Sequence, residues 1–160
     1  MSAREDLPPA DYRTLAEFRY QIRRFLRFSE EAARAAGLEP HHHQLMLAVK
    51  GMPSGKRARV ADLAEQLQLQ HNSAVELVGR LEERDLVERR RDGDDHREVY
   101  VRLTSRGQRI LRALTLHHRD ELRSTAPILV ETLGKLTASR RGRRHRYSGV
   151  RQAGKLARKE

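Results

Sequence analysis

Between Val60 and Leu81 the apolar residues recur in two short stripes at helical spacing. Leu63, Ala64 and Leu67 share one face of a first helix, with Val60 a turn earlier, and Ala74, Leu77, Val78 and Leu81 repeat the stripe in a second. Past Arg84 the period falls to two. Val99, Val101 and Leu103 face one way while Glu98, Tyr100 and Arg102 face the other, the mark of a half-buried strand. Leu86 to Arg91 supplies its partner, and Asp92-Gly93-Asp94-Asp95-His96 makes the turn. Thr104 closes the hairpin and can cap the next helix through its hydroxyl. This order predicts a mainly α fold with a small β-wing: a winged helix-turn-helix flanked by further helices.

Upstream, residues 1–11 read as an arm containing Pro8-Pro9. A long helix follows from Tyr12 to about Ala36, with Leu15, Phe18, Ile22, Phe25, Leu26 and Ala33 on a broad face and Gly37 as its stop. Pro40 opens another helix that ends in the turn residues Gly51 to Gly55, and Lys56 to Arg59 can form a short third strand. After Thr104 a helix carries Ile110, Leu111, Leu114, His118 and Leu122, Pro127 is expected to break it, and Leu129, Leu133 and Leu136 belong to a further helix. The pattern places one domain over 12–138, with a winged unit at 40–104 between the helices of 12–36 and 105–138. Those outer helices carry more apolar surface than a small winged helix needs. They either pack on it or interlock with the same helices of a second chain.

A fold of this order offers its second helix to a major groove and its wing to the backbone or a minor groove. The polar face of that helix carries Gln70, His71, Asn72, Ser73, Glu76 and Arg80. Short or planar hydrogen-bonding groups suit base edges: Asn72 can pair with adenine, and Glu76 can accept from a cytosine amine or exclude other sequences. Arg80, two turns into the helix, suits a phosphate. The hairpin holds Arg89, Arg90, Arg91, Arg97 and Arg102. Arg97 at its tip can enter a narrow A·T-rich minor groove, where the negative potential is enhanced, with Asp95 orienting it. Arg89, Arg91 and Arg97 are therefore the wing's candidate DNA contacts. A solvated, solubilising loop is the plainer alternative.

Charge supports a polyanionic partner: 33 Lys and Arg stand against 22 Asp and Glu, a formal net charge of +11. Residues 139–160 hold nine Arg or Lys and one Glu, so eight of those eleven charges sit there and three on the rest. That segment has too few apolar residues to fold alone and reads as disordered, either a solubilising extension or a nonspecific DNA-binding arm. With no cysteine, disulfides, cysteine-ligated zinc and thiol switches are excluded. No 18-residue apolar run and no secretory signal is visible, which reads as a cytoplasmic protein. Eight histidines include His41-His42-His43 and His117-His118. Three in a row on a helix point in three directions, so no metal site is expected. The first run reads as a polar helix start and His118 as a packing residue. No phosphate-binding glycine loop, HExxH, GxSxG or cysteine nucleophile occurs, so neither an enzyme nor a cofactor is expected.

The segments LAEQL, SAVELVGRLEERDLVERR and DDHREVYVRLTSRG, taken in order, resemble the multiple-antibiotic-resistance-regulator (MarR) family of winged-helix transcription factors. The family's motifs fall on Leu81-Glu82, Asp85-Leu86-Val87, Asp95-His96-Arg97 and Leu103-Thr104-Ser105-Arg106-Gly107, and the likeness covers roughly residues 12–136. It implies a homodimeric, sequence-specific regulator of a palindromic operator. It further implies a repressor relieved by a small aromatic or amphipathic effector held between the dimerisation helices and the winged domain. The wing arginine of the family falls on Arg97. A nonspecific architectural nucleic-acid-binding protein, using wing and tail without sequence preference, is the alternative reading. Three departures stand out. Asp85 replaces the usual glycine at a position that tends to be left-handed, Gly79 interrupts the second helix, and Gln70 is a poor cap. Together they suggest a second helix that stiffens only on DNA.

Overall fold

A computed structural model describes residues 7–91 and 99–156, with side chains described as far as residue 138. Its elements run α1 (Pro9–Ala35), α2 (Pro40–Lys50), β1 (Ala58–Arg59), α3 (Val60–Leu67), α4 (His71–Glu83), β2 (Val87–Arg91), β3 (Val99–Leu103) and α5 (Ser105–Leu156). The three strands form one antiparallel sheet in the order β1-β3-β2, pairing Ala58 with Val101 and Val87 with Leu103. This is the winged helix-turn-helix that the periodicity predicts, including the short third strand.

The chain divides into two compact units, Phe28–Asp120 and a second made of Met1–Arg27 and Glu121–Glu160. The first holds the core. Leu63, Ala74, Leu77, Val78 and Leu81 are buried as the stripes require, and Leu45, Met46, Leu86, Val87, Val101, Leu103, Leu111 and Leu114 pack with them. On β3 the alternation holds from Val101 onward, where Val101 and Leu103 are buried and Arg102 is exposed, while Val99 and Tyr100 are both half-buried. In the second unit Thr125 and Thr132 are buried, their hydroxyls donating to the carbonyls of Glu121 and Ile128. Tyr12, Leu15, Tyr20, Val130 and Leu133 remain exposed.

Two boundaries depart from expectation. Helix α1 begins at Pro9, not Tyr12, because proline at a first helical position gives up an N–H that has no partner there. Helix α5 passes through Pro127 and continues to Leu156, where a break and then disorder were expected. An interior proline removes one backbone hydrogen bond, to the carbonyl of Arg123, without excluding the helix on either side. Beyond residue 138 the abundant Arg and Lys favour a helix even where apolar residues are scarce. Among the described residues no helix is long and apolar enough to cross a membrane.

Candidate nucleic-acid interface

Helices α3 and α4 are joined by a turn in which Gln68 takes φ 54°, so that the Leu69 N–H reaches the Ala64 carbonyl at 2.9 Å. Helix α4 starts without a side-chain cap, since Gln70 makes none. Its buried stripe turns His71, Asn72, Ser73, Glu76 and Arg80 to solvent on one face, with Gln70 exposed just ahead of them. Glu76 and Arg80 stand 4.0 Å apart with both side chains about two-thirds exposed, a pairing worth little and easily exchanged for another partner. Val75 shares that face and is 39% exposed. Sequence reasoning passed over it, although its offset of one from the buried stripe already marks it as an outward apolar residue.

At its far end α4 is locked to the base of the wing. Asp85 adopts φ 55°, the left-handed turn that its place in the motif predicts. This costs a residue with a side chain about 1 kcal/mol. The turn brings the Leu86 N–H to the Leu81 carbonyl at 2.9 Å. The Thr104 hydroxyl donates to the Asp85 carbonyl at 2.7 Å and accepts from the Gly107 N–H at 3.0 Å, so the predicted helix cap also holds the end of α4. Gly107 lies so close to the Leu86 carbonyl that a Cβ there would stand 2.0 Å from its oxygen. The glycine of the Leu-Thr-x-x-Gly motif is thus demanded by contact between backbones.

The arginines of the hairpin have different partners. Arg90 pairs with Glu88 at 3.0 Å, and Arg102 approaches the same carboxylate at 3.7 Å. Arg91 is exposed, with no partner among the described residues. Arg89, an exposed residue and a candidate DNA contact, lies against α4: its guanidinium donates to Glu82 and, at 3.2 Å, to the Val75 carbonyl. Asp95 and Arg97 lie outside the described residues. Arg57 stacks over the Tyr100 ring at 5.1 Å from its centroid.

The histidine runs depart from expectation too. His41 is exposed, but His42 and His43 are buried rather than forming a polar helix start. Helix α2 is covered on two sides, so consecutive residues both face protein. The His43 and His118 rings lie 4.7 Å apart, and Phe28 packs edge-on against His117 and His118. His118 spends both ring nitrogens, on the Leu114 carbonyl at 2.7 Å and the Ser29 hydroxyl at 2.8 Å. Burial, reinforced by the neighbouring His118, pushes His43 down to about 4. His42 is lowered by burial and then by the Arg84 guanidinium, 3.5 Å from its Nδ1. Among the described residues no three His, Asp or Glu are placed to hold a metal ion.

A cleft of about 660 Å³ opens on this unit, floored by Leu47, Leu103, Leu111 and Leu116 and edged by Lys50, Arg109 and Arg112. Among the described residues no acidic side chain lines it.

Residues 36–98 match the sequence model of the MarR family. Among curated proteins none matches. Solved structures with a similar fold include AbsC, a MarR family transcriptional regulator from Streptomyces coelicolor. It is 20% identical, with 91% of this chain and 99% of that one aligned at a TM-score of 0.66. CouR from Rhodococcus jostii RHA1, in a complex with p-coumaroyl-CoA, is 21% identical over 72% of this chain and 80% of its own, at a TM-score of 0.59. MepR, a transcription regulator of the Staphylococcus aureus multidrug efflux pump MepA, is 15% identical over 81% and 94%, at 0.60.

Proposed function

We propose that this chain, which has a winged-helix fold and matches the MarR family model over residues 36–98, is a DNA-binding transcriptional regulator, a dimeric repressor that a small ligand releases from its operator. The observation that carries this reading is the exposed face of α4. Its polar side chains, with Val75 among them, stand outward on a helix whose opposite stripe is fully occupied by core. Gln70, His71, Asn72, Ser73 and Glu76 are proposed to meet base edges, Val75 the methyl group of a thymine, and Arg80 and Arg91 phosphates. Arg97, with Asp95 orienting it, is proposed for the minor groove.

Selection of bound sequences from a random duplex pool tests the central claim. A palindromic consensus is expected, and Arg97→Ala should weaken binding to it by at least about tenfold at fixed salt while the fold persists. Recovery of no consensus would favour the architectural reading. A change below twofold would remove Arg97 from the interface.

A dimer is supported by the apolar side chains left exposed on the two-part unit, Tyr12 at 61% and Val130 at 68% among them. Two-fold symmetry would set two α4 helices on half-sites about one DNA turn, ~34–36 Å, apart. Sedimentation at micromolar concentration should give twice the 18.5 kDa chain mass. A monomer that holds a palindromic site tightly would contradict the pairing. The effector reading is supported by the cleft beside Leu47 and Leu116, whose apolar floor and cationic edge suit an amphipathic anion, as does the p-coumaroyl-CoA held by CouR.

A further inference from the structure

Arg89 holds α4 at two places. Its backbone N–H donates to Glu82 Oε1 at 2.9 Å, its Nη1 to Glu82 Oε2, and its Nη2 to the Val75 carbonyl at 3.2 Å. Val75 lies in the first half of α4 and Glu82 in its last turn, about two turns further on, and a single guanidinium joins the Glu82 carboxylate to the Val75 carbonyl. A carbonyl inside a helix keeps a second lone pair after its own helical bond, so the grip on Val75 costs the helix nothing. The backbone N–H of Arg89 holds one oxygen of Glu82 while its guanidinium holds the other together with the Val75 carbonyl, so α4 is tied to β2 through main chain and side chain at once. The two charged side chains are 35% and 28% exposed, so the pair is reached by solvent and its strength comes from its three hydrogen bonds together.

We propose that Arg89 and Glu82 are positioning residues, a strut that makes α4 and the wing present themselves to a duplex as one rigid piece. This rests on the DNA-binding reading above. It moves Arg89 from a candidate DNA contact to a group acting through α4, and it gives Glu82 a part that its charge alone would forbid. A carboxylate near a polyanion repels it, so its removal should by simple electrostatics strengthen binding.

The sign of that effect is the test. Glu82→Gln, Arg89→Gln, Arg89→Lys and the double Glu82→Gln/Arg89→Gln variant are compared with the wild-type protein on the selected operator and on random duplex, well below their melting temperatures. Each single Gln variant is expected to weaken operator binding by at least about tenfold, since a misplaced reading helix loses base contacts. The double variant should be no weaker than the worse single one, because both remove the same link. Binding to random duplex and the dependence of affinity on salt should stay near wild type. Arg89→Lys should recover little, because an ammonium lacks the fork that reaches two acceptors.

If Glu82→Gln binds the operator as well as or better than wild type, while Arg89→Gln flattens the salt slope by about one and lysine restores it, Arg89 is a phosphate contact and the strut is wrong. A wild-type protein that selects no duplex overturns the underlying reading, an outcome seen before any variant is compared.

Discussion

Gly107→Ala is expected to lower stability by about 3 kcal/mol, because the new methyl group collides with backbone. Its Cβ would stand 2.0 Å from the Leu86 oxygen and 3.0 Å from that carbonyl's carbon. Neither α5 nor the turn at Asp85 can retreat without breaking the Thr104 hydroxyl bonds to Asp85 and Gly107. The control is Gly79→Ala in α4, where an added Cβ meets nothing within 4 Å. Relieving an interior helical glycine should raise stability by about 1 kcal/mol. Urea unfolding of both variants at neutral pH gives the comparison, and a Gly107→Ala protein as stable as wild type would contradict the close approach.

Acid should destabilise Phe28–Asp120 before the carboxylates titrate. His43 falls from an ordinary 6.5 to about 4 in the folded protein, through burial and then the facing His118. Between those values the unfolded chain takes up a proton that the folded one refuses. Stability is therefore complete above about pH 6.5 and declines as pH falls towards 4. At 1.36 kcal/mol per unit the full loss is on the order of 3 kcal/mol. His42, lowered by burial and by Arg84, adds to it in the same direction. His43→Phe keeps a ring in the site and removes the proton acceptor. Its stability should therefore change less than that of wild type between pH 7 and pH 4.5. Equal losses in the two proteins would show that His43 is not the group responsible.

The histidines mark one limit of what the sequence reveals. Periodicity placed α3, α4 and the hairpin because each has one clear apolar stripe. It also made the Asp85 turn and the Thr104 cap legible from residue type. Helix α2 is covered on two sides, so His42 and His43 are buried next to each other, and nothing in their own spacing separates them from the exposed His41. Pro127 misled for a different reason: a proline subtracts one hydrogen bond, and a long helix with good helix-forming residues on either side absorbs the loss. Within the candidate interface, the face of α4 was readable residue by residue. The direction of Arg89 was not, because it depends on Glu82 and the Val75 carbonyl, which lie seven and fourteen residues away and meet it only once the sheet has formed.

The Thr104 junction bears on how this unit opens. The Thr104 amide donates to Leu86, the Gly107 amide to the Thr104 hydroxyl and the Gln108 amide to the Thr104 carbonyl, while Leu86 itself donates to Leu81. The last turn of α4, the root of the hairpin and the first turn of α5 therefore share one set of hydrogen bonds, with no slack loop between β3 and α5. Local fraying has nowhere to start at that point. In deuterated water these amides should exchange together and at the slowest rate in the unit, since none can be exposed without releasing the other elements.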